Sequence, residues 1–151
     1  MHTWHQPFDR ITALALPQSD YALYQKALIA GIKNSAEKIR ILGSIAKQYP
    51  SSNLLQDVNM EIALTYIADE KFNEAVPYLD RVLVSNNEGM KPRALLKKGL
   101  AYYNANNNKD ALSSYRELIE KYPQSAEADE ALVNIKDIYV EEGRPGEYVE
   151  L

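Results

Sequence analysis

Few side chains in this sequence are of the kind that does chemistry, and their spacing argues against it. His2 and His5 stand at i, i+3, a spacing that could place two imidazoles on one metal ion. No third histidine follows, and a frayed or artificial start is the preferred reading. Both histidines sit in the same short N-terminal stretch, so no Ser–His–acid set can be composed. The acidic pairs Asp129-Glu130 and Glu141-Glu142 are adjacent in sequence. Neighbours on a helix project in different directions, so neither pair can flank a substrate. Near a helix start, Asp129 and Glu130 suit the helix dipole instead. The six glycines mark helix stops and turns rather than a phosphate loop. With no cysteine, disulfides, thiolate metal sites and cysteine nucleophiles are excluded. The expectation is a chain with no catalysis, no cofactor and no metal.

Bulk properties narrow the classes further. A net charge of −4 with no basic stripe disfavours nucleic acid, which must be met by cations that displace its counterions. No apolar run nears the ~18 residues of a membrane span, so direct insertion is not expected. The opening MHTWHQPFDRIT lacks a charged segment followed by an apolar one, and does not read as a signal peptide. Apolar content of 46% beside 25% charged residues fits a folded domain rather than a disordered chain.

What the sequence offers in place of chemistry is repetition. The stretch Pro92–Pro123 carries Gly99, Tyr102, Ala111, Tyr115 and Pro123 at steps of three, nine, four and eight. It predicts one helix from about Pro92 to Asn104 and a second from about Lys109 to Lys121. Ala63, Tyr66, Ala75 and Leu79 repeat the first three steps one unit earlier. Tyr66, Tyr102 and Tyr139 are equivalent, 36 and 37 residues apart, and Tyr49-Pro50-Ser51 matches Tyr122-Pro123 two periods later. Asn34-x-x-Glu37 reads as a capping box. Pro17 with Ser19-Asp20 reads as a stop followed by a new helix start. Leu23, Ala27, Ala30 and Gly31 form one helical stripe; Ile39, Leu42, Ile45, Ala46 and Tyr49 form another. Pro77 should bend its helix unless it lies in the first turn. The asparagines of 104–108 read as turn chemistry. On the last helix Ala131, Leu132, Ile135, Ile138 and Tyr139 share a face. Phe8–Leu16 reads as the second helix of a repeat without its first.

These residues resemble the tetratricopeptide (TPR) repeat, whose pattern is G-x2-Y…A-x3-F…P with a period of about 34. Units are assigned at 20–50, 54–86 and 92–123, with a truncated repeat at 125–151 and a partial repeat or artificial start at 1–19. Both ends fall inside repeats, which predicts a fragment of a longer array or one completed by another chain. The long period and the Tyr-Pro-x-Ser linkers resemble a bacterial envelope-type subgroup. That subgroup includes the Tol–Pal coordinator, outer-membrane assembly lipoproteins and large Bacteroidetes TPR proteins, which favours a periplasmic or cell-envelope location over the cytoplasm. The resemblance implies an all-α fold, a right-handed TPR superhelix (α-solenoid) of antiparallel helix pairs. Departures are the missing Trp, Lys38 where Ala is usual, and a shorter connection in the 20–50 unit.

The family's groove positions, carried over, give Tyr21, Tyr24, Leu28, Met60, Leu64, Arg93, Leu96, Lys97, Leu100 and Tyr103 as the partner-binding surface. The last unit adds Glu130, Val133, Asn134, Asp137, Val140 and Glu141. A carboxylate clamp for chaperone C-termini is rejected. Its positions hold Tyr24, Leu28, Glu61, Arg93 and Lys97, and Glu61 would repel a carboxylate. The expected function is a scaffold that binds a protein or peptide in an apolar, aromatic groove. A docked peptide is expected to lay its acidic end by Arg93 and Lys97 and its apolar part toward Met60 and Tyr24. Against this stand two other readings: that the same residues belong to the core, and that groove and open ends pack on further copies in a homo-oligomer.

Overall fold

A computed structural model of the chain describes residues 16–146, which contain seven α-helices and no strand. They are α1 Leu16–Ala30, α2 Ser35–Gln48, α3 Leu55–Ala68, α4 Phe72–Val84, α5 Lys91–Asn104, α6 Asn108–Lys121 and α7 Ala126–Glu141, with a 3₁₀ turn at Glu88–Met90. The helix expected over Phe8–Leu16, like His2 and His5, lies outside the described residues, except for Leu16 itself. Two compact units divide between Thr65 and Tyr66, inside α3.

In the first unit α1 packs on α2. The expected break at Pro17–Asp20 is absent: α1 runs through it. Pro17 is the second residue of α1, where no N–H is required. Asp20 is buried and accepts a hydrogen bond from the Ser52 hydroxyl; the same Ser52 oxygen accepts from the Leu54 N–H at 3.0 Å. The linker after α2 is thereby tied to the start of α1. Half of the expected capping box forms. The Asn34 side chain accepts from the Glu37 N–H at 3.0 Å, but the Glu37 carboxylate turns to Arg40 and the Asn34 N–H goes to the Ala30 carbonyl. The unusual Lys38 has a packing reason. A Cβ on Gly31 would stand 2.4 Å from Lys38 Cδ, so the glycine admits the lysine stem, and Lys38 Nζ reaches Glu61 at 2.9 Å.

The second unit is built on α5, α6 and α7. Its core joins Leu95 and Leu96 to Ala111, Leu112, Tyr115 and Leu118 and to Ala128, Ala131, Ile135, Ile138 and Tyr139. Leu132, expected on this face of α7, is 45% exposed instead. Ala46 of the first unit is likewise exposed. Pro77 sits exposed within α4, which the structure keeps as one helix. At Gly99 α5 and α6 approach closely. A Cβ there would lie 2.3 Å from Tyr115 Cε1 and 2.6 Å from Cδ1, distances no real contact allows. The Tyr115 ring therefore fills the volume that any larger residue at 99 would need. At the equivalent positions of the first unit a small and a branched residue, Ala27 and Leu42, are both fully buried.

Three helices end alike. The Lys71 N–H donates to Tyr66 O at 2.8 Å and the Glu70 N–H to Ile67 O at 3.0 Å. Asn107 to Tyr102 and Asn106 to Tyr103 repeat the pattern, as do Arg144 to Tyr139 and Gly143 to Val140. This is the Schellman motif, which requires a left-handed residue just past the helix. Glu70 (φ 60°), Asn106 (φ 63°) and Gly143 (φ 75°) supply it. The equivalent tyrosines of the sequence are thus the residues whose carbonyls close each loop. Asn107 then caps α6, accepting from the Asp110 N–H at 3.2 Å, and Ser125 caps α7, accepting from the Ala128 N–H at 3.0 Å.

Two stability changes are expected. Gly99→Ala gains about 1 kcal/mol of helix propensity but overpacks a rigid ring, which costs about 1–3 kcal/mol. Net destabilisation of up to about 2 kcal/mol in chemical denaturation is expected, relieved when Tyr115→Leu is added. A stabilising single variant would refute the close approach. Glu70→Gly should raise stability by about 1 kcal/mol, because a non-glycine residue in the left-handed region costs about 1–2 kcal/mol, partly offset by glycine's entropy. Asn106→Gly should gain less, since asparagine tolerates that conformation.

Candidate functional site

Helices α5 and α7 are the first helices of successive repeats, and both pack against α6 and against each other. They leave a cleft of about 330 Å³, lined by Leu100 and Tyr103 of α5, Tyr115 of α6 and Asn134, Asp137, Ile138, Val140 and Glu141 of α7. Leu100, Tyr115, Ile138 and Val140 make its apolar surface. Its polar side is acidic, with two carboxylates and no cation among the lining residues.

A hydrogen bond crosses the cleft. The Tyr103 hydroxyl donates to Glu141 Oε2 at 2.7 Å. That bond to Glu141 is the main cause raising the Tyr103 hydroxyl above its usual range, with burial and the charges of Glu141 and Asp137 adding to it. Tyr115 is 1% exposed, and burial pushes its hydroxyl from 10.0 up to about 12; a bond to the Asn134 side chain opposes the shift, and the Glu130 charge adds to it. Tyr115 thus has two duties: its ring packs on Gly99, and its hydroxyl end reaches the cleft.

Of the ten residues assigned to the groove, Leu100 and Tyr103 meet in this cleft. Asn134, Asp137, Val140 and Glu141, assigned from the last unit, meet them there. Leu96 belongs to the buried core, Arg93 is exposed, and Lys97 is half-buried outside the cleft lining. In the first unit Tyr21 is 55% exposed, Tyr24, Leu28 and Leu64 are half-buried, and Met60 is buried. Met60 and Leu96, at 2% and 7% exposed, therefore present almost no surface. Ile138 and Tyr115 were legible only as core residues; the 3-4 spacing that put them there does not distinguish a core from the floor of a cleft. Among the described residues no group of three or more metal-ligating side chains comes together, and no helix is long and apolar enough to cross a membrane.

Helix pairs, small-to-large packing at Gly99 and identical helix ends define the class as an all-α TPR fold, an α-solenoid. The tetratricopeptide repeat family matches residues 60–130, a stretch that takes in most of α3, all of α4, α5 and α6, and the start of α7. Over that stretch the chain is similar to the tetratricopeptide repeat family. No curated protein matches the sequence. Among solved structures, the "MamA RS-1 ArsTM double mutant" aligns with a TM-score of 0.67 at 14% identity, covering 99% of this chain and 91% of that one. A structure of MamA AMB-1 aligns at 0.60 with 21% identity, covering 97% and 84%, and another at 0.58 with 22% identity, covering 96% and 89%. At such identities the likeness is one of fold.

The Tyr115 hydroxyl carries a pH prediction. Its pKa is raised on folding, so its contribution is complete below pH 10 and is lost as pH rises toward 12. Tyr115→Phe removes the titrating hydroxyl while keeping the ring. Between pH 10 and 12 the unsubstituted protein should then lose about 2–3 kcal/mol more stability than the variant. Parallel losses in the two proteins, measured by urea unfolding, would contradict the buried hydroxyl.

Proposed function

We propose that the chain is a non-catalytic protein-interaction scaffold and that the α5–α7 cleft is where a partner segment docks. One observation carries the reading: groove positions of two successive repeats converge on a single concave, apolar-floored surface. Concave sites with apolar walls and a few placed polar groups are where ligands bind. The rings of Tyr103 and Tyr115 offer large contact area at small entropic cost. The envelope-type subgroup belongs to the same proposal, supported by the 36- and 37-residue spacing of the tyrosines and the Tyr-Pro-x-Ser linker at Tyr122–Ser125.

Selection from a displayed peptide library, followed by titration of the selected peptides, tests it. Leu100→Glu should abolish binding of those peptides, a loss of at least about tenfold, while circular dichroism shows the helices intact. Peptides that bind the variant unchanged would remove the cleft assignment.

A second reading, self-association through α1, is supported by Ile29 and Ile32, which are 68% and 79% exposed. It predicts a mass that rises with concentration in sedimentation equilibrium and falls back in Ile29→Lys. A constant monomer mass would dispose of it.

A further inference from the structure

We infer that the α5–α7 cleft selects an amphipathic helix carrying basic residues on either side of its apolar positions. The inference rests on the docking role proposed above and specifies its partner.

The exposed face of α7 alternates charge and apolar surface at helical spacing. Glu130, Val133, Asp137, Val140 and Glu141 are all exposed, with steps of three, four, three and one. Val133 and Val140, at 57% and 54% exposed, are large apolar residues left in solvent. Val133 has Glu130 and Asp137 one turn to either side; Val140 follows Asp137 by one turn and adjoins Glu141. The exposed Lys136 lies one turn from both valines, away from the cleft lining. From Glu130 to Glu141 the stripe runs about 16 Å along the axis, the length of a three-turn helix. Leu100 and Ile138 widen its apolar part into the cleft, while Asp137 and Glu141 stand at its rim.

Charge decides which helix fits. The cleft lining has no cation to meet an acidic residue. Glu141 is held by the neutral Tyr103 hydroxyl, so its charge stays uncompensated and free to attract a lysine or arginine. An acidic partner would bring like charges together in a partly desolvated cleft, which is unfavourable. This reverses the sequence expectation of an acidic peptide end on Arg93 and Lys97, neither of which lines the cleft.

The test uses two dye-labelled helical peptides about thirteen residues long, with identical leucine positions. One carries lysine at every flanking polar position and the other glutamate. Fluorescence anisotropy with the full chain should show binding of the lysine peptide, weakening as salt rises from about 50 to about 300 mM. Asp137→Asn combined with Glu141→Gln should weaken it about fivefold; both residues are exposed, so the fold is preserved. If the glutamate peptide binds as tightly, or the double variant binds the lysine peptide unchanged, the charge selection is overturned while the docking role stands. If neither peptide binds, or Leu100→Glu leaves lysine-peptide binding intact, this cleft is not the docking site and both readings fall.

Discussion

The second unit depends on a missing methyl group. With a side chain at Gly99, α5 could not approach α6 so closely, because the Tyr115 ring already occupies the place of its Cβ. The consequence reaches the cleft. Tyr115 is held by Gly99 at one edge, and its hydroxyl end meets Asn134 on α7. The ring is therefore a spacer between all three helices, and it sets where Leu100 and Ile138 face each other. Interiors are packed like crystals, so a displacement at this point cannot be absorbed locally. Packing and site are one constraint here.

The repeat has a second invariant at its helix ends. A Schellman loop fixes the chain's exit direction through backbone bonds alone, so any residue that accepts the left-handed conformation can serve. Glutamate, asparagine and glycine all do so in this chain, at Glu70, Asn106 and Gly143. That tolerance explains why the position does not stand out as a motif, whereas the tyrosines four residues before it do. The first unit departs from the rule. Its turn after α1 uses bonds from Gly31 to Ala27 and from Asn34 to Ala30, with Asn34 extended as the cap of α2.

Much of this was legible in advance. The helix pairs of 92–123 were placed to within one residue, because Gly99, Ala111 and Tyr115 are small and large at positions that must interlock. Local polar choices were less legible. Asn34 and Glu37 have capping-box spacing, yet Arg40 one turn on competes for the carboxylate and takes it. Pro17 and Asp20 look like punctuation, yet a proline in the first turn costs nothing and Asp20 has Ser52 to satisfy it. In the site, repeat register placed Leu100 and Tyr103 on the concave side. It could not separate them from Leu96, one turn away, because solvent exposure near the edge of a helix face depends on the neighbouring helix. The Tyr103–Glu141 bond joins residues 38 apart, beyond any local pattern.

The distribution of ion pairs sharpens what the acidic cleft means. Elsewhere in the second unit, four carboxylates meet cations. Asp80 takes Lys98 at 2.7 Å, Glu88 takes Lys91 at 2.6 Å, Glu117 takes Lys121 at 3.0 Å, and Glu142 takes Arg144 at 3.1 Å. Arg116 and Arg144 also lie over the Tyr139 ring, at 5.6 and 5.0 Å, on the face of α7 that meets α6. Two arginines thus stand at one side of α7 and Asp137 and Glu141 line the cleft at the other, with the exposed Lys136 one turn from Val133 and from Val140. Surface pairs of this kind stabilise by little, so folding has small reason to impose such a separation. Its larger effect is on the field: the cleft lining is left negative beside a partly enclosed apolar surface, where low dielectric walls concentrate that field. A surface so arranged discriminates by charge before it contributes contact area.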